Sequence, residues 1–458
     1  MRRLIARYAV EHPEAFELVT LFDDGRESRM LDKNDPTAQS IAFTHPAAIW
    51  FERKISDDFG IRFPDAFDRR PLLHHERFAK GVHPMRKDFA AQSLDFAEFV
   101  PYKYEAIGGE GVFEVAVGPI HAGIIEPGHF QFSQAGEDIL HLEVRHFYKY
   151  RGIEKMLEGK TLQEAKPIVE RISGNESVAY QIAWREILAQ AGGVELSAAL
   201  RKRHALLLEL ERLIHHLTDL GFIPNDAGFG AALAFCSQRA EEARRMMATL
   251  TGHRFGFGAV DFAAPPLEGE ALRRWIGTMR ESMEWFAEWI VDIPSLWDRF
   301  DTTGILKKHK AIKYDTVGVV ARASGLALDR RLGDALYEAE GFEIATQTSG
   351  DVAARFKVRL AEVFESLRLM ERFIEEEALQ EQAPKTLQDG RYDTFVESSL
   401  GELFMSVDLE EGRIARFFVR DPSFVNWQAL HLMMPGNIIA DFPLINKSCD
   451  LSYAGNDL

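Results

Sequence analysis

Two stretches decide how this chain is read: Val169-Glu-Arg-Ile-Ser-Gly-Asn-Glu-Ser-Val-Ala-Tyr180, and the last eight residues, Leu451-Ser-Tyr-Ala-Gly-Asn-Asp-Leu458. Neither contains a cysteine. Glu176 falls among small and apolar residues in a segment expected to be helical. An unpaired carboxylate is costly to bury, so Glu176 should be protonated, solvated by internal water, or neutralised by a nearby Arg or Lys. Glu126, Asp450 and Asp457 could extend a chain of acids from Glu176 toward the surface.

The 458 residues carry 54 basic and 71 acidic side chains, a net charge of −17, which argues against nucleic acid or an anionic lipid surface as the main partner. The 46% hydrophobic content is that of a soluble globular protein, and no uncharged apolar run is long enough to span a bilayer. Met1-Arg-Arg-Leu-Ile leads into charged and aromatic residues without an apolar signal core. Two cysteines, Cys236 and Cys449, cannot build a disulfide framework or an iron–sulfur site, so a cytoplasmic location is expected. Cys449 is best read as a small buried thiol.

Outward from the opening stretch, the chain divides in order. Phe16-Glu-Leu-Val-Thr-Leu-Phe22 alternates and runs into Asp23-Asp24-Gly25, a turn between strands. Trp50-Phe-Glu-Arg-Lys-Ile-Ser-Asp-Asp-Phe-Gly-Ile61 and His83-Pro-Met-Arg-Lys-Asp-Phe89 follow as two charged blocks. A linker with little periodicity precedes Val112-Phe-Glu-Val-Ala-Val117, then a Gly/Pro-rich loop, Gly118-Pro-Ile-His-Ala-Gly-Ile-Ile-Glu-Pro-Gly128, and further strands. From Tyr150 the pattern is helical. Leu196, Leu200, Leu207, Leu210, Ile214 and Leu217 mark a buried-face helix expected to stop at Gly221. Further helices are expected at about 229–252, 267–291 and 350–378.

These blocks resemble a known family. Glu-Arg-Ile with Gly174 two residues on, and Asp450 eight residues before Leu458, are the frame of [NiFe] hydrogenase large subunits. In that family the frames carry Cys-Gly-x-Cys-x-x-x-His and Asp-Pro-Cys-x-x-Cys. Here the four cysteine positions hold Ser173, Glu176, Ser452 and Gly455, and the histidine position holds Tyr180. Gly118-Pro-x-His121, Glu209-Leu-Glu-Arg-Leu-Ile-His-His216, Arg322-Ala-Ser-Gly325 and Gly350-Asp-x-x-x-Arg355 are blocks shared with the 49-kDa subunit of respiratory complex I. Glu52, Arg53, Asp57, Gly60 and Ile61, with Pro84, Arg86, Lys87, Asp88 and Phe89, match its 30-kDa subunit. A 30-kDa-like segment ahead of a 49-kDa-like one is the order of formate hydrogenlyase large subunits, the hydrogenase-4 component G type; the chain is similar to a branch of that family lacking the Ni–Fe cysteines.

The resemblance implies an α+β fold. A trimmed 30-kDa-like α+β domain would occupy residues 1–95, a linker 96–111, and a mainly helical hydrogenase-large-subunit-like domain with peripheral β-hairpins 112–458. Soft thiolates bind nickel and low-spin iron, whereas hydroxyls and carboxylates are hard donors and Gly supplies nothing, so no Ni–Fe centre is expected. Leu400 stands where hydrogenases carry an arginine over the metals. Ile125 and Leu162 hold the two positions that contact quinone in complex I. Quinone remains a possible ligand, with His121, Lys160 and Tyr180 around the cavity, and Glu176, Glu126 and Asp450 are candidates for a proton path. By resemblance His216 lies against a [4Fe–4S] cluster held by a partner small subunit; the alternative is a histidine pair ending a helix. The chain itself would bind no cofactor. Its partners would be that iron–sulfur subunit and the membrane subunits of an ion-translocating arm, at the inner face of the cell membrane, in an assembly of the NADH:quinone oxidoreductase kind, NAD binding included. A redox-silent scaffold is the rival reading. The chain ends where the family's maturation cleavage would fall, so no peptidase step is expected.

Overall fold

The computed structural model describes residues 2–89, 96–105, 107–122 and 124–458. The boundary expected at residue 95 lies outside them. The N-terminal strands Leu4–Glu11, Ala15–Phe22 and Gly25–Asp32 form an antiparallel sheet in sequence order. Its second turn falls at Asp23-Asp24, as the turn residues required. Helix Ala48–Phe59 crosses this sheet and stops at Gly60, whose φ of 74° lets its N–H reach Ser56 O at 2.9 Å.

Two more three-stranded antiparallel sheets follow. One comprises Val112–Val117, His129–Ala135 and Asp138–Arg145; the other comprises Gly390–Glu397, Glu402–Glu410 and Arg413–Arg420. The last of these joins the N-terminal sheet to the rest. Tyr8 stacks on Phe418 at 4.3 Å between centroids and its hydroxyl lies 3.0 Å from Ser406 Oγ. Lys54 of the first helix bridges Asp58 and Glu154 at 2.6 and 2.8 Å, and Arg416 reaches Glu154 from the other side. All four groups are buried, so the two parts are locked by charge as well as by apolar packing.

The helical part is built on Ala198–Asp226, which packs against Gly230–Thr251 and Val352–Arg372, with Gly269–Val291 flanking. Ser197 caps the long helix by accepting from Leu200 N. Leu210, Leu213, Leu217, Leu220 and Ile223 are fully buried along one stripe. Each contributes roughly 1.5–3 kcal/mol of apolar transfer. The helix does not stop at Gly221. It runs on to Asp226, and Gly221 lies inside it because a Cβ there would stand 3.0 Å from Cys236 Cβ and 3.2 Å from Leu233 Cα. This glycine is a packing notch between two helices rather than a cap. His215 and His216 consequently sit in mid-helix, not at an end. The helices expected near 229–252, 267–291 and 350–378 are present as Gly230–Thr251, Gly269–Val291 and Val352–Arg372.

Candidate functional site

The two quoted stretches meet in the interior. Ser173 lies in the turn after helix Leu162–Val169, and Ser452 caps the last helix, Tyr453–Asp457, by accepting from Gly455 N at 2.9 Å. Their hydroxyl oxygens are 3.2 Å apart. Glu176 occupies the cap position of helix Ser177–Ala191 rather than the helix proper, with φ −134° and ψ 26°. Its Oε1 accepts from Ser398 Oγ at 2.5 Å, and its Oε2 is buried without a hydrogen-bond partner.

Asp421 completes the cluster. Its Oδ2 accepts from the Tyr180 hydroxyl at 2.8 Å and its Oδ1 from Ser423 N at 2.8 Å. The same Oδ2 fills the space beside Gly455, where a Cβ would come within 2.0 Å of it. Glu176, Tyr180 and Asp421 are each at most 1% exposed. Burial, and then the neighbouring Asp421 carboxylate, hold the Glu176 carboxyl well above the ordinary range, which favours its protonated form. No salt bridge to Arg or Lys neutralises it among the described residues. This acid–acid arrangement differs from the metal-replacing ion pair that was one reading of the sequence.

The shared blocks hold this centre in place. Glu211 caps helix Ser177–Ala191, its two carboxylate oxygens accepting from Val178 N and Ala179 N at 2.6 and 3.1 Å. Arg212 donates to the carbonyls of Ser398 and Glu397, both at 2.7 Å, and so positions the hydroxyl that meets Glu176. Arg355 and Arg359, from the block that begins at Gly350, fix Ser448 and Cys449 ahead of the final turn. Arg151 donates to Ile172 O at 2.7 Å and Ala454 O at 2.8 Å, tying the two stretches together. Asp457 accepts from the backbone N–H groups of Phe147 and Lys149.

A cavity of about 530 Å³ opens beside the centre, with Ser173, Ser452, Glu126, His215 and Asp450 on its walls. Glu126 is paired with Lys149. Asp450, held by Lys447 on one side, lies 3.3 Å from His215 Nδ1 on the other. Burial pushes the His215 imidazole down to about 3, so it is neutral. Glu176 itself does not line this cavity; it faces Asp421. Of the residues expected around a quinone, Tyr180 is sealed against Asp421, Lys160 is in the turn before helix Leu162–Val169, and His121 is on an exposed loop; none of the three lines the cavity. Ile125 does, and is 78% exposed, whereas Leu162 is buried.

His216 points elsewhere. It is 1% exposed, and its Nε2 lies 2.7 Å from Glu362 Oε2. Glu362 is in turn bound by Arg322, which also meets Glu397 and Asp329. Burial lowers the His216 ring to about 4. Its environment is therefore the interior ion network of this chain. Cys449 is a buried thiol 3.7 Å from Met433 Sδ, and Leu400 is buried in the turn that carries Ser398. Asp421 went unassigned in the sequence because Asp-Pro before a helix reads as a cap, which it also is.

Among the described residues, no helix is long and apolar enough to cross a membrane. Residues 226–388 and 379–457 match the family described as respiratory-chain NADH dehydrogenase, 49 Kd subunit, and residues 2–94 match the 30 Kd subunit. The chain is 27% identical to formate hydrogenlyase subunit 5 of Escherichia coli (strain K12) over 446 residues, covering 93% of this chain and 78% of that one. Hydrogenase-4 component G of the same organism is 27% identical over 444 residues, covering 93% and 77%. An NADH-quinone oxidoreductase subunit of Phocaeicola vulgatus is 26% identical over 405 residues, covering 82% and 78%. The chain belongs to the 49 Kd subunit family of respiratory-chain NADH dehydrogenases, with a 30 Kd subunit-like segment ahead of it.

Proposed function

We propose that this chain is a peripheral subunit of a membrane-associated, complex I-like oxidoreductase that couples electron transfer to ion movement, and that it has no Ni–Fe centre of its own. The observation that carries the second half is the Glu176–Asp421 centre. A bridged nickel–iron group needs four thiolates from two segments. The two segments converge as such a site requires, but they bring hydroxyls, a carboxyl and a glycine, and the Asp421 carboxylate takes the volume beside Gly455. These residues do not fit the group.

In this reading the centre holds a proton where its hydrogenase relatives would be expected to hold a metal. Glu176, with Tyr180 and Asp421, stores it. Asp450 and Glu126 on the cavity wall, with the Ser173 and Ser452 hydroxyls, offer the onward route. Electrons would travel on a [4Fe–4S] cluster of a partner small subunit, and His216 would act on that cluster only through the Glu362–Arg322 network that encloses it. The redox-silent scaffold remains a second reading, favoured by one observation: Ile125 and Leu162 occupy the expected quinone-contact positions.

The test is purification of the tagged chain from its own host in mild detergent. An iron–sulfur small subunit and hydrophobic membrane subunits should accompany it, with a cluster signal in electron paramagnetic resonance after dithionite reduction. The same assembly without any cluster signal would establish the scaffold instead. Isolation of the chain alone under conditions that preserve other membrane complexes would overturn the proposal.

A further inference from the structure

The 530 Å³ cavity carries a charge opposite to that of the whole protein. The chain has a net charge of −17, yet Lys149, Arg151, Arg171, Arg244, Arg254 and Lys447 line this one space against three carboxyl groups. Ion pairs reduce that excess without removing it, since Arg171 meets Glu170 and Arg254 meets Glu241. Glu126 is paired with Lys149, and Asp450 with Lys447. Glu211 accepts two backbone N–H groups, and burial pushes its carboxyl up to about 8, so it adds little negative charge near neutrality.

Two of the guanidinium groups have no carboxylate at ion-pair distance among the described residues. Arg151 donates only to the carbonyls of Arg171, Ile172 and Ala454, and its Nε is buried without a partner. Arg244 donates to Thr218 Oγ1 at 3.0 Å, while burial and the nearby Arg254 both disfavour its charge. His215 lines the same cavity, 6% exposed, with Nδ1 toward Asp450 and with a buried Nε2 that has no partner. A buried guanidinium N–H without a partner, as at Arg151 Nε, is costly unless something supplies an acceptor. A guanidinium suits an oxyanion, to which it offers N–H donors in a fixed fork.

We propose that this cavity binds a small anion bearing two or more oxygen acceptors, of the carboxylate or phosphate type, with Arg151 and Arg244 as its donors. The inference rests on the reading of this space as the working cavity of the subunit and names the chemistry it takes. A neutral quinone head group would leave both guanidinium charges uncompensated.

The test is titration calorimetry on the full chain with inorganic phosphate and, separately, succinate, at ionic strength held constant with potassium chloride, and with a short-tailed ubiquinone as the neutral arm. Saturable binding of phosphate, succinate or both is expected, and which one binds separates the phosphate from the carboxylate source. Arg244→Gln should weaken it by about tenfold, the worth of one charge-assisted hydrogen bond. Arg151→Gln should do the same, and because Arg151 also ties two segments together, Arg244→Gln carries the test if the other variant is unstable. Arg274→Gln, which touches only the exposed Glu270, should bind as wild type. No saturable binding of either anion, undiminished binding in Arg244→Gln, or binding of the quinone alone would each overturn the site. Because the chain is measured by itself, that failure would leave the assembly reading standing, which depends on co-purifying subunits.

Discussion

Replacing Glu176 with Gln probes the buried acid pair directly. Gln keeps the length, can still accept from Ser398 Oγ, and can donate toward Asp421, so the fold should persist. What it removes is a titration. The folded pKa of Glu176 lies well above its unfolded value, because burial and then Asp421 disfavour the anion. The stability it contributes is therefore fully present below about pH 4.3, the unfolded value, and is lost as pH rises toward the folded value. In that window the slope is about −1.4 kcal/mol per pH unit for this one group. The stability of the wild type minus that of Glu176→Gln should thus fall as pH rises above about 4.3, at a slope of up to about 1.4 kcal/mol per pH unit. Groups remote from the Glu176–Asp421 pair are common to both proteins and cancel, so the difference reports the pair. Urea unfolding followed by circular dichroism at half-unit pH steps gives the two curves. Curves that run parallel across the window would refute a protonated Glu176, and with it the proton-holding role.

Gly221→Ala should destabilise the protein by about 1 kcal/mol in thermal or urea unfolding, against the usual gain for this change in a helix, because the added methyl meets Cys236 and Leu233. Gly455→Ala should cost about 1–3 kcal/mol by pushing into Asp421, and should flatten the Glu176 pH dependence in the same unfolding series if it separates the acid pair. Arg322→Met should be among the worst single changes, roughly 3–5 kcal/mol or loss of soluble expression, since it takes the guanidinium from Glu362 and Glu397 in the interior and leaves Asp329 to Arg331 alone. His146, His204, His215, His216 and His431 are held neutral by burial at about 3 to 4, so their contribution is present above about pH 6.5 and lost as pH falls. Glu186 and Glu211, raised by burial to about 7 and about 8, act in the opposite sense, their contribution being lost as pH rises toward those values in the same unfolding series.

Much of the architecture was legible because it is written in local signals. Asp23-Asp24-Gly25 makes its turn, Asp351 caps the helix it precedes, and the leucine stripe from Leu200 to Leu217 is buried as its period requires. The end of that helix was misread because glycine has two uses, freedom of backbone and absence of a side chain, and Gly221 serves the second. The convergence of Ser173, Glu176, Ser452 and Gly455 followed from the family frame, not from spacing. What the frame could not supply was the content of the space it encloses. Asp421 reaches Tyr180 across 241 residues, and Glu211 caps a helix through Val178 N, 33 residues earlier. Such pairings depend on packing, and no pattern in the chain announces them. His216 shows the reverse limit: its block was recognised, but its surroundings, Glu362 and Arg322, come from a different helix and a different motif.

The most direct test of the central claim is elemental analysis of the chain purified within its native complex, from cells supplied with nickel and with intact hydrogenase maturation machinery, alongside infrared spectroscopy in the cyanide and carbonyl stretching region. A centre built from Glu176, Asp421, Tyr180 and the Ser173–Ser452 hydroxyl pair should yield essentially no nickel per chain and no such stretches. Near-stoichiometric nickel, or cyanide bands that follow the chain through purification, would contradict it.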